Sequence, residues 1–529
     1  MLDLIISGGI VLDGTGNPGF RAAVGVRDGR VQLLRGTREL PEAARTIDAT
    51  GLVVAPGFID MHSHSGLMIL ADPTHLPKVT QGVTTEVIGV DGNSYAPFPS
   101  RQDLLDFATV NSGLDGRPDL PYDWDTVASL LSRFDGATSV NLALLVGNSA
   151  LRIAQVGWDD EPASPAAVAS MRSMLREALE EGAFGLSTGL DYPPGSYAST
   201  DELGELCREA GRLGAIYHTH VRYNLGDKLL DPFREAFAIA RTGECPLHLT
   251  HFYYKSAYGT GSGPMFDLLE EEVRAGADVT FDGYPYPWSS TRLSIFLPQW
   301  IQRGGPQQLL RRLADPACRD RFREELEETD PSDQWRTFLR TVRVGHFRTT
   351  ANRRWESTVV TDIARDRGDA DVVDTFFDLL VEEDLGVTEV HPGPTDTTLP
   401  KFIRHPLGMV GTDSTFIGDK PSPRTYGSFP RILGEFVREE SFLSLPEAVR
   451  KFTSFPAQRL GLTDRGMLRD GAMADIAVFD AGTVRALATY DEPRQLSTGI
   501  EYVLVNGTVV LDAGHHTGAL PGRGLRRGR

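Results

Sequence analysis

Short apolar runs recur through the middle of the chain at 53–60, 83–90, 140–146, 184–187, 216–221, 246–251, 279–284 and 409–413. Each has the length of a strand buried on both faces, and the stretches between them carry apolar residues at helical spacing. One such stretch opens at Ser164-Pro165, an N-cap followed by proline at the first helical position. Val168, Met171, Leu175, Ala178 and Leu179 then give it a single apolar face. Another opens at Ser199 with Glu202 three positions on, the spacing of a capping box. Strands alternating with helices build a parallel sheet, and eight such strands close a (β/α)8 barrel.

The two ends of the chain follow a different rhythm. Short strands at 4–6, 10–12, 23–26 and 31–34 are split by Gly, Asn and Asp turns. Apolar runs at 474–480 and 502–510 echo them, the second bent at the hairpin pair Asn506-Gly507. The pattern predicts an α/β protein: a TIM-like barrel over 52–460 and a small β-sandwich assembled from 1–51 and 461–529. The 285–405 stretch is too long for one loop and predicts a helical insertion over the barrel mouth. The arginine-rich residues 523–529 read as a solvated tail.

Composition adds exclusions. Of 529 residues 40% are hydrophobic and 24% charged, a balance that suits a globular protein in water. The net charge of −19 argues against a nucleic-acid partner or an anionic membrane, though not against a small anion met by a local cation. Cys207, Cys245 and Cys318 form no pairing pattern, the first residues lack the basic start of a leader, and no apolar run reaches the ~20 residues of a membrane span. The expected location is cytoplasmic; the oligomeric state stays open.

The chemistry gathers where barrels of this kind keep it, at the C-terminal ends of the strands. His62 and His64 close the first run in PGFIDMHSH, two apart and therefore on one face. A bare His-x-His is commonly a surface pair, but this one ends a buried strand. Asp91 follows the second run, His220 ends the fifth, His251 the sixth, Tyr284 the seventh and Asp413 the eighth. Four histidines and two aspartates at one barrel end make a site for one or two divalent ions, zinc foremost. His218 lies deeper and His248 differs in parity, so both read as core. His75, His346, His391, His405, His515 and His516 fall in helical or loop text and read as non-ligands.

These motifs resemble the amidohydrolase superfamily, and within it the D-aminoacylase branch of N-acyl-D-amino-acid deacylases. THVR around His220 and LTHF around His251 are similar to the branch's two metal histidines, FDGYPY around Tyr284 to its carbonyl-polarising tyrosine, and GTDS around Asp413 to its catalytic aspartate. LSTGLDYPPGSYAST, RTYGSFPRIL and PGRGL are similar too, so the likeness covers nearly the whole chain, weakest over about 290–400. It implies zinc held by Asp91, His220 and His251, a second site completed by His62 and His64, and Asp413 as both base and ligand.

Three departures stand out. Where the branch has Asn-Cys-Gly, with a bridging thiolate, this chain has Val90-Asp91-Gly92; Asp91 is the expected bridge, with Glu86 the weaker alternative. None of the six lysines lies on a barrel strand, which removes the carboxylated lysine of other relatives. The branch's substrate-gripping lysine in His-x-Lys is replaced by His251-Phe252-Tyr253, leaving Tyr253 and the later Lys255, and its His-Pro-Arg reads Ser422-Pro423-Arg424, in which Arg424 is kept as a carboxylate holder; Tyr192 completes the expected substrate contacts. The implied activity is deacylation of an N-acyl-D-amino acid, a small-molecule amide. Alternatives are deacetylation of an N-acetyl amino sugar or amine, hydrolysis of a cyclic amide of hydantoin or dihydroorotate type, and a metal-free scaffold on a retired fold.

Overall fold

The computed structural model describes residues 1–36, 39–330 and 333–528. Eight parallel strands pair in sequence order: β1 (Phe58–Asp60), β2 (Val83–Ile88), β3 (Asn141–Gly147), β4 (Gly185–Gly189), β5 (Ile216–His220), β6 (Leu247–Leu249), β7 (Val279–Gly283) and β8 (Gly408–Val410). Beyond the strand ends the ring is joined by Met61 N donating to Val410 O (3.1 Å) and Asp413 N to His62 O (2.8 Å). The barrel expected from the apolar runs is therefore present.

Alternation along the strands grades the barrel interior. Ile59, Met61, Val87, Ala143, Leu145, Phe184, Ile216 and Met409 pack together as an apolar base. One step up, His218 stacks on His248, and the His248 ring bonds Thr280 Oγ1 at 2.8 Å and Asp282 Oδ2 at 3.0 Å. The opposite parity faces the surrounding helices, where Phe58 meets Phe429 and Phe452.

The first apolar run is two strands rather than one. Val53–Pro56 pairs with Ile476–Phe479, whereas the barrel strand starts at Phe58. Gly57 is the hinge, because a Cβ there would lie 2.2 Å from the Thr84 side chain. Val53–Pro56 belongs to a seven-stranded sheet that takes Ile10–Val11 and Phe20–Arg21 from one end of the chain and Ile476–Phe479, Ile500–Val505, Thr508–Asp512 and His515–His516 from the other. A four-stranded sheet (Leu2–Ser7, Ala23–Arg27, Arg30–Leu34, Ala43–Asp48) covers it, with Leu4, Ile6, Val24, Val26, Ile47, Val54, Ile476, Val478 and Leu504 between. This is the sandwich drawn from both termini.

Three expectations need correction. The insertion between β7 and β8 is not purely helical. Its helices pack beside a three-stranded antiparallel sheet, in which Thr388–Pro392 lies between Trp288–Arg292 and Arg343–His346. Ser199 caps its helix by accepting from Glu202 N, but no reciprocal capping box forms, since Glu202 is taken by Arg152 at 2.6 Å. The arginine-rich segment is not a solvated tail through 523–528. Leu142 N donates to Arg523 O, Leu525 N to Leu142 O and Arg527 N to Gly182 O, and Leu525 joins the apolar base of the barrel; Arg529 lies outside the described residues. Among the described residues no helix is long and apolar enough to cross a membrane.

Candidate metal centre

The side chains that leave the strand ends converge on Asp91. Its Oδ2 lies 3.3 Å from His62 Nε2, 3.6 Å from His64 Nε2, 3.6 Å from His220 Nδ1 and 3.8 Å from His251 Nε2. Asp413 Oδ1 approaches the first two imidazoles from the other side, 3.6 Å from His62 Nε2 and 3.4 Å from His64 Nε2. Potential ligand atoms thus fall into one set from His62, His64, Asp91 and Asp413 and another from Asp91, His220 and His251. Asp91 is common to both, the arrangement of a carboxylate between two cation positions. A third set, His62, His218 and Asp282, lies deeper, and Asp282 already accepts from His248.

Three of the four imidazoles are turned by an outer partner. Asp115 bonds His64 Nδ1 at 2.7 Å, the Tyr223 hydroxyl meets His251 Nδ1 at 2.8 Å, and Asp191 lies 3.2 Å from His220 Nε2. In every case the nitrogen left over is the one aimed at Asp91, which is how outer groups fix the tautomer of metal-binding histidines. Backbone geometry contributes too: Asp91 (φ 53°), His251 (φ 32°) and Asp413 (φ 49°) are left-handed, a cost that clusters at functional sites.

The cluster fits a cation. Neither ring nitrogen of His62 has a hydrogen-bond partner, nor does Asp91 Oδ1, although all three atoms are buried. Buried polar atoms are rarely left so unless a group that is not protein completes them. Burial alone would strip His62 of its proton, but Asp91 and Asp413 outweigh it and hold the ring up to about 10. Burial would likewise raise Asp91, yet His62, His220 and His251 keep it well below the usual carboxylate range. These carboxylates call for positive charge, and nitrogen and oxygen donors at this spacing suit zinc.

A family model, the amidohydrolase family, matches residues 45–511. The chain belongs to that family. At 35% identity it is similar to the N-acyl-D-glutamate deacylase of Alcaligenes xylosoxydans xylosoxydans, over 99% of this chain and 97% of that protein. The D-aminoacylase of the same organism is 32% identical over 99% of this chain and 98% of that one. Among solved structures, an N-acyl-D-glutamate deacylase from Bordetella bronchiseptica, complexed with zinc and a phosphonate mimic of the tetrahedral intermediate, superposes with a TM-score of 0.82 at 32% identity, covering 99% of each chain.

Against that family frame the remaining expected residues separate. A cavity of about 1000 Å³ opens above the cluster, with Asp91, His220, His251 and Asp413 at its inner end. Tyr192, Tyr253 and Lys255 line it. The Tyr192 hydroxyl bonds Thr291 Oγ1 at 2.9 Å, and Lys255 Nζ rides over the Tyr223 ring at 5.0 Å with no carboxylate bridge among the described residues. Tyr284 lies one layer back, its hydroxyl 3.2 Å from Ser289 Oγ, which does line the cavity. Arg424 is a correction. It was expected to hold substrate, but it is fully buried behind Asp413, with Nη1 2.8 Å from Asp413 Oδ2 and Nη2 donating to Ser290 O. Glu86 is not among the clustered ligand atoms and is shared among Ser63, Ser65 and His75.

Asp115, Asp191, Tyr223 and Asp282 are site residues that do not stand out in the sequence. Only Asp282 carried a signal, since it shares a face with Tyr284 at the end of β7; the other three sit on loops or in the short helix Ser112–Asp115.

Proposed function

We propose that the protein removes the acyl group from N-acyl-D-amino acids, with zinc at the Asp91-centred cluster, in the cytoplasm. The observation that carries this is Asp91 Oδ2 lying within 3.8 Å of four imidazoles whose outer nitrogens or surroundings leave them facing it. Zinc bound there supplies a Lewis acid that polarises the amide carbonyl and lowers the pKa of attacking water toward ~7.

The chain's own residues do the rest. Asp413 Oδ1 faces the cluster while Oδ2 is held by Arg424, so one oxygen is free to take the water's proton and deliver it to the leaving nitrogen. Arg424, with His62, outweighs burial and keeps that carboxyl below its usual range, in the basic form the step requires. Tyr284 steadies the developing oxyanion by exchanging Ser289 for the substrate oxygen, a contact worth roughly 3 kcal/mol in other enzymes. Lys255 takes the α-carboxylate: the arginine expected to share that task is committed to Asp413.

The test is metal analysis of purified protein beside hydrolysis of paired N-acetyl-D- and N-acetyl-L-amino acids with chiral analysis of the products. Bound zinc and release of the D-amino acid alone are expected. Equal activity in metal-stripped protein, or release of only the L-amino acid, would overturn the reading.

A further inference from the structure

The insertion carries a second histidine–carboxylate pair that the reaction above does not use. His391, on the strand Thr388–Pro392, lines the cavity and donates Nδ1–H to Glu389 Oε2 at 2.8 Å. Glu389 is fully buried, and its other oxygen accepts Thr291 N at 3.0 Å. Burying a carboxylate in a lid costs several kcal/mol unless charge or hydrogen bonds offset it, and an apolar residue would close the same sheet more cheaply. What the carboxylate achieves is orientation: with Nδ1 on Glu389, the imidazole has only Nε2 left for the cavity, and among the described residues Nε2 has no partner. Phe296 and Phe338 stand edge-on to the ring at 5.7 and 5.3 Å, fixing its plane.

Of the other cations near this cavity, Lys228 also lines it but is exposed to solvent, and the buried ones are committed elsewhere. Arg222 is paired with Glu235 at 3.2 Å, Arg292 donates to Val110 O and Asn111, and Arg424 holds Asp413. Lys255 is assigned to the α-carboxylate. For a second substrate carboxylate His391 is thus the buried, oriented group: with Nδ1–H on Glu389, Nε2 is the atom that meets the anion and donates to it when the ring carries a second proton. We propose that His391, positioned by Glu389, is a specificity-determining residue that binds a side-chain carboxylate, making N-acyl-D-amino acids with acidic side chains the preferred substrates. This rests on the deacylase reading.

The experiment compares wild type, His391→Phe and Glu389→Gln on N-acetyl-D-glutamate and N-acetyl-D-leucine. The phenyl ring packs between Phe296 and Phe338, and glutamine still accepts Thr291 N, so both variants keep the lid's structure. Expected for His391→Phe is a KM for N-acetyl-D-glutamate at least tenfold higher with kcat within threefold, and an unchanged or lower KM for N-acetyl-D-leucine; Glu389→Gln moves the same way by less. Equal changes on both substrates, or none on the glutamate, overturn the proposal, as does a wild type that prefers the leucine derivative. Calorimetric binding of glutarate against butyrate to wild type and His391→Phe needs no turnover. A wild type that hydrolyses neither substrate but loses glutarate affinity selectively on His391→Phe defeats the deacylase reading and keeps the anion site; unchanged affinity defeats the site.

Discussion

Two clusters of buried charge lie within one strand of each other and are finished in opposite ways. At the barrel mouth His62 and Asp91 leave buried atoms without partners. On the outer face of β1 and β2, every charge is answered. Lys78, reaching in from the helix Leu76–Val79, contacts Asp60 and Thr412 and lies 3.4 Å from Glu86. Glu86 also accepts from Ser63 at 2.9 Å and Ser65 at 2.7 Å and meets His75 at 2.8 Å, while Asp60 receives His62 N and Thr412 N. The same residue types appear in both places. Satisfaction tells them apart: a closed network holds β1, β2 and β8 together, and an open one awaits something from outside the chain.

The contrast is broken most severely at Asp91. Asp91→Ala should lose metal and activity while chemical denaturation shows a stability change within about 1 kcal/mol, because so little of the folded chain leans on that carboxylate. Asp91→Cys should restore a working site with a stronger preference for zinc, read by metal stoichiometry in competition with manganese. Next is Lys78→Met, which leaves Asp60 and Glu86 buried without their cation; it should cost about 3–5 kcal/mol in urea unfolding, with the rate per folded molecule largely kept. A mouth that fails as badly as the wall in this variant would erase the distinction. Asp413→Asn should retain metal and fold but lose ~10²-fold in kcat, a test by steady-state kinetics. The smallest effect is acid lability. Burial would raise the Glu86 carboxyl, but His75 and Lys78 prevail and hold it down to about 2 against an ordinary 4.5. A depressed carboxylate stabilises fully above about pH 4.5 and loses that contribution as pH falls toward 2. Glu86→Gln should flatten unfolding free energy across that window.

Residues whose position follows from strand parity and strand ends were legible in the sequence. His62, His64, His220, His251 and Asp413 all close apolar runs, and the structure brings all five to Asp91. What escaped depends on long side chains and distant pairings. Lys78 lies on no strand, as its place in the sequence said, yet four methylenes carry its ammonium into the wall of the barrel. Asp115 reaches His64 from a helix 51 positions away, a distance no spacing encodes. The insertion's sheet joins Trp288–Arg292 to Thr388–Pro392 with no tight turn to announce it. Arg424 had the right charge and the right motif; only packing shows that its charge is already spent on Asp413.

The segment threaded beneath the barrel has a consequence for the order of folding. Arg523 N donates to Asn141 Oδ1 across 382 positions, and Gly522 and Gly524 lie so close to Val140 O and Leu131 O that a Cβ would sit 2.2 and 2.3 Å away. During synthesis β3 emerges long before its lower partner, so the base of the barrel waits, with Ile59, Met61 and Leu145 uncovered by Leu525. Contacts of such separation are slow to form, and apolar surface held open in the meantime is the surface on which chaperones and aggregation compete. The yield of folded enzyme should therefore be decided only once this late segment has been made, although it never touches the site it makes possible.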